Sequence, residues 1–186
     1  MKAKSAANES LLLYCAILAM AVLIFAISFL TYGSILQKSL ILLGAFVLFV
    51  VASMGKQKVL QALQLVIVIG AVLGFLQLSM LYSLSLMLFV SILMVIYLIS
   101  IEHYKKEPIG AMGSAGFLLL AIGLAFNTGS NNLVTWFSLG FGAVLIAVYS
   151  ATAFWLYKVR LQLVWVLLNL AFAISPLLLF FSSFGI

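Results

Sequence analysis

The stretch that decides the fold is 59–101, VLQALQLVIVIGAVLGFLQLSMLYSLSLMLFVSILMVIYLISI, 43 residues without a charged side chain. As one α-helix it would run about 65 Å at 1.5 Å per residue, roughly twice the hydrocarbon thickness of a bilayer. It therefore has to fold back on itself. The most polar place to do so is 79–85 around Tyr82, where serines interrupt the apolar run.

Working outward with a span length of about 20 residues, the chain divides into segments near 11–32, 36–55, 59–80, 83–101, 110–127, 133–157 and 161–184. The breaks fall at Tyr32-Gly33-Ser34, at Gly55-Lys56-Gln57-Lys58, at 102–108, at 127–132 and at Lys158-Val159-Arg160, besides the fold-back. Composition agrees with lipid as the solvent: 67% of the 186 residues are apolar and 6% charged, against roughly a quarter charged in soluble domains. Backbone groups in lipid must be satisfied within the segment, and these runs are too long and unalternating for barrel strands. The expected fold is all-α, a single transmembrane helical domain over 1–186.

The basic residues test the count. With the N-terminus in the cytoplasm, Lys2, Lys4, Lys56, Lys58, Lys105, Lys106, Lys158 and Arg160 all fall inside, and of the nine only Lys38 falls outside. Merging the third and fourth segments would divide the nine charges between the two sides and destroy that bias. The reading is seven spans, N-terminus inside and C-terminus outside, in an integral protein of the cell membrane. The net charge of +6 is spread in ones and twos between apolar runs, which is how loops read rather than a nucleic-acid surface. Lys2 and Lys4 before an apolar run suggest a signal peptide, but the run is longer than the 7–15 residues typical of such an h-region and no small-x-small cleavage site follows. It reads as the first span.

Chemistry is sparse. The acids are Glu9, Glu102 and Glu107, there is one His, and no ionisable residue lies well inside a span. That argues against carboxylate-coupled pumping and against enzymes that need paired acids or an acid-held divalent metal. A single His excludes a haem with two axial histidines. No catalytic set, metal set or cofactor is expected. Cys15 reads as a small apolar-run residue. The 102–108 loop holds His103 beside Glu102, Glu107 and Tyr104; it reads either as a membrane-edge acid/base site or as a solvated loop over lipid headgroups.

Two constellations remain. Asn169 lies about nine residues into the last span, and Tyr149 is at similar depth on the preceding one. Pro176 frees a backbone carbonyl two turns on. Tyr149, Ser150, Asn169, Ser175 and Pro176 are thus a candidate mid-membrane polar site; the alternative is a hydrogen bond between two helices. Gly70 and Gly74 form a GxxxG with Gln77 nearby, a candidate helix-packing interface within the chain or with a partner. A weak internal similarity, Gly44-Ala45 before Lys56 and Gly142-Ala143 before Lys158, allows a duplication of three helices, a linker helix and three helices.

The segment Val68-Ile69-Gly70-Ala71-Val72-Leu73-Gly74-Phe75-Leu76-Gln77 resembles the third helix of SWEET and PQ-loop sugar transporters, which would imply transport through a three-one-three bundle. Their Pro-Gln motifs are missing here. The stretch from Ala62-Leu63-Gln64 to Gly70-Ala71 is similar to the third helix of the J-type membrane subunit of respiratory complex I, but without its Tyr and with more spans. Each match covers about a tenth of the chain, and neither is adopted. Two functions stay open: a cofactor-free subunit or scaffold of a larger membrane complex, for example respiratory-type, with other membrane subunits or further copies as partners; or a small-solute or ion transporter or channel opened around Tyr149 and Asn169.

Overall fold

The computed structural model describes residues 2–29, 34–76, 78–126 and 133–185, and every regular element within them is helical. In chain order these are α1 (Lys2–Phe29), α2 (Ile35–Met54), α3 (Lys58–Leu76), α4 (Met80–Ser100), α5 (His103–Lys106), α6 (Gly110–Phe126), α7 (Leu133–Tyr157) and α8 (Leu161–Ser182). Six of them, all but α5 and α6, are long and apolar enough to cross a membrane. α6 is equally apolar but 17 residues long, about 25 Å. This is the architecture of a helical membrane bundle.

The breaks at Gly55–Lys58, 102–108 and Lys158–Arg160 fall where charge and glycine put them, while those at Tyr32-Gly33 and 127–132 lie outside the described residues. The fold-back is displaced: α3 ends at Leu76 and α4 starts at Met80, so Tyr82 lies in the first turn of α4 rather than at the centre of the turn. Ser79 takes the extended N-cap conformation, φ −60° and ψ 151°. The apolar side chains that follow it continue the helix, which outweighs the local polarity of Ser83 and Ser85. α1 begins well before the apolar run, carrying the polar residues 2–10 in helical form. The single-turn helix α5 had no counterpart in the span pattern.

α1, α2, α3, α6, α7 and α8 form a closed ring in which each packs on the next and α8 returns to α1; α4 lies outside it against α3 and α6. Small residues set the closest approach. A Cβ placed on Gly116 would lie 2.9 Å from the Gly142 carbonyl oxygen, and one on Gly142 would lie 2.9 Å from that of Gly116, so α6 and α7 touch backbone to backbone. Gly44 plays a similar part between α2 and α1, where a Cβ would meet Leu23. Trp165, Tyr149 and Phe117 are the largest side chains in the core.

The two ends differ in charge. At one, the turns after α2, α4 and α7 each place a non-glycine residue in the left-handed region: Lys56 (φ 57°), Glu102 (φ 54°) and Lys158 (φ 57°). After α2 the turn is a Schellman motif, with the Gln57 N–H donating to Ala52 at 2.9 Å and that of Lys56 to Ser53 at 3.2 Å. The Lys158 N–H donates to Phe154 at 2.8 Å in the simpler left-handed cap. These turns meet: the Trp165 Nε1–H donates to Gln57 Oε1 at 3.0 Å, and Val59 packs where α6 begins. At the other end Lys38 donates its ammonium to the Gly74 carbonyl at 2.8 Å, near the C-terminus of α3, where the helix dipole favours a cation.

Candidate functional site

The most polar constellation with defined partners sits at the basic end, where the loop after α4 drops into the bundle. Glycines admit it. A Cβ on Gly110 would come within 3.3 Å of the His103 ring, and one on Gly113 within 3.0 Å of the Tyr149 ring. α6 therefore starts low, and the loop that feeds it carries Glu107 beside the buried face of α7. Glu107 Oε1 accepts a hydrogen bond from the Tyr149 hydroxyl at 2.8 Å. On its other side Glu107 Oε2 lies 3.3 Å from His103 Nε2, a contact whose geometry falls short of a hydrogen bond. Tyr104 and Ser114 share a hydroxyl–hydroxyl bond of 2.6 Å, tying α5 to α6.

Burial is the main influence on His103 and lowers its pKa from the usual 6.5. Glu107 pulls the other way, and Lys106 and Lys58 reinforce the lowering. The imidazole is thus neutral near neutral pH, beside a carboxylate whose second oxygen holds a phenol. The arrangement brings an imidazole and a carboxyl group together at the edge of the bundle. It offers no activated nucleophile, and among the described residues no three His, Cys, Asp or Glu side chains converge as a metal site.

Of the residues expected to line a mid-membrane site, Tyr149 is 1% exposed and engaged with Glu107. Asn169 is buried and donates its amide to the Trp165 carbonyl of its own helix at 2.8 Å. Ser150 is fully buried with its hydroxyl unpaired. Ser175 is exposed, and Pro176 is half-buried inside α8. Of the interface residues, Gly70 packs against Met87 of α4 and Leu124 of α6, while Gly74 has open space where a Cβ would stand. Gln77 lies outside the described residues.

Two contacts escaped the sequence reading. The Glu107–Tyr149 bond joins residues 42 apart, and the Trp165–Gln57 bond residues 108 apart. Gln64, a glutamine near the GxxxG that reads as able to bond to a partner helix, is buried and has no partner within the chain for either side-chain polar atom. The closely spaced Gly110 and Gly113 were the available signal for the first, since small residues at a helix start make room for a neighbouring loop. No family model, curated protein or solved structure matches the chain.

Proposed function

We propose that the chain crosses the membrane seven times, with α6 as the seventh crossing, the basic end in the cytoplasm and the C-terminus outside. It serves as a cofactor-free integral subunit or scaffold of a larger membrane assembly, for example a respiratory-type one. The observation that carries this reading is the closure of the α6–α7 seam. Gly116 and Gly142 meet at backbone contact, and the Tyr149 ring fills the space beside Gly113. Several polar groups along that side of the bundle are taken up by partners inside the chain: Tyr149 by Glu107, Trp165 by Gln57, Asn169 by its own helix. Such bonds hold helices in place at roughly 0.6–2 kcal/mol each and commit those groups to partners within the chain. α4, outside the ring, and the open surface at Gly74 supply apolar faces for neighbouring subunits.

A transport reading has one observation in its favour: Gln64 and Ser150 bury polar atoms without a partner, a cost that a hydrated pathway would relieve. The test is mild-detergent isolation of the tagged protein from its own membrane, with native mass determination and identification of what comes with it. Stoichiometric foreign subunits support the assembly reading. Isolation alone, together with solute flux in liposomes that Asn169→Leu abolishes, overturns it in favour of transport.

A further inference from the structure

The loosest contact of the ring is between α8 and α1, and a groove of about 600 Å³ runs along it. Leu13, Ile17 and Met20 of α1 form one wall, and Leu163, Val164 and Leu167 of α8 the other. Phe154 closes the groove toward α7, and Lys158 and Arg160 stand at its mouth. The long axis is apolar and the mouth is cationic. Among the described residues neither cation has a carboxylate in ion-pair contact; the first turn of α8 carries no acid, and the acid nearest the α1 wall in sequence is Glu9, one turn before Leu13. The left-handed cap at Lys158 fixes the direction in which the chain leaves α7. The lysine ammonium lies 4.4 Å from the centre of the Trp155 ring, at the level where aromatic side chains sit among headgroups.

We propose that this groove is a binding site for one anionic phospholipid, its phosphate between Lys158 and Arg160 and an acyl chain laid along Leu13, Ile17, Met20, Val164 and Leu167. Charge complementarity selects the occupant. A partner helix would fill the apolar length but leave two cations without counter-charge, whereas a lipid satisfies both parts with one molecule. Basic pockets between transmembrane helices at the cytoplasmic surface are suited to such headgroups. The N-terminus of α8 at Leu161 adds the positive end of its dipole to the same field. The site stands whether the chain is a subunit or a transporter.

The test is native mass spectrometry of the full chain from mixed micelles that contain phosphatidylglycerol and phosphatidylcholine with identical acyl chains. Wild type should retain one phosphatidylglycerol with roughly thirtyfold preference, the scale set by two basic residues near a membrane surface. Lys158→Gln with Arg160→Gln should reduce that preference to within about twofold, while Lys105→Gln with Lys106→Gln, an equal charge change elsewhere at the same end, should leave it intact. Ile17→Trp, which fills the groove and keeps the charges, should lose the lipid; this keeps the test decisive should the double variant fail to fold. Free inorganic phosphate should not displace the lipid. Equal loss from both charge pairs, retention by Ile17→Trp, displacement by phosphate, or no preference in wild type would each overturn the proposal.

Discussion

The Tyr149 hydroxyl reaches the Glu107 carboxylate at 2.8 Å, joining a core residue of α7 to the loop that opens α6. The loop is thereby anchored to the α7 face that Gly113 and Gly116 also contact. A carboxylate at the rim of a bundle is ordinarily left to water; here one oxygen is committed to a buried phenol. Tyr149→Phe removes the donor and leaves the acceptor partly buried, so unfolding in detergent should become easier by about 1–3 kcal/mol. Glu107→Gln keeps an acceptor oxygen and should cost less. A double-mutant cycle over the two positions should return a positive coupling.

His103 makes stability depend on acidity. Its pKa is lowered in the folded chain by burial, with Lys106 and Lys58 adding to the effect and Glu107 opposing it. The folded state therefore binds fewer protons than the unfolded state at mildly acidic pH. The His103 contribution is fully present above about pH 6.5 and is lost as pH falls through the lowered folded value. Melting curves of the detergent-solubilised protein across that window should shift downward with acid, and His103→Gln should flatten the dependence.

The glycines of the bundle should respond oppositely to alanine. Gly142→Ala drives a methyl into the Gly116 carbonyl oxygen and Leu120 nitrogen, both at 2.9 Å. Overpacking against backbone should lower stability by about 1–3 kcal/mol. Gly74→Ala enters open space and should be neutral or stabilising by up to about 1 kcal/mol through helix propensity. Thermal unfolding of both variants reads the contrast.

Lys56 holds a left-handed conformation, φ 57°, that costs an L-residue side chain roughly 1 kcal/mol and glycine little. Lys56→Gly should raise the melting temperature. Lys58→Gly, two residues on at the start of α3, should lower it or leave it unchanged. A drop for Lys56→Gly would mean that its side chain contributes more than its backbone costs.

The helices were legible because their signal is length and composition: α7 begins and ends where the apolar run does, and the turn at Lys158 follows the charges. The start of α4 was less legible, since Ser79, Ser83 and Ser85 are equally polar in sequence and only the extended backbone at Ser79 distinguishes it from the helical two. The Glu107–Tyr149 pair was not legible. Counting depth from the turn at Val159 places Tyr149 level with Asn169 in the membrane, and nothing in that count shows that α6 starts low. Recession of a loop is a packing property, decided by whether Gly110 and Gly113 leave room, and it appears only once helices are placed side by side.

The seven-crossing arrangement at the centre of this account turns on the short helix α6, and sided cysteine labelling tests it directly. In a Cys15→Ser background, Lys105→Cys and Ser183→Cys each expose one thiol, before α6 and after α8, to a membrane-impermeant maleimide. If α6 crosses, sealed right-side-out vesicles label Ser183→Cys and protect Lys105→Cys until they are permeabilised. Labelling of both positions from the same side would mean that α6 does not cross, and would contradict the account.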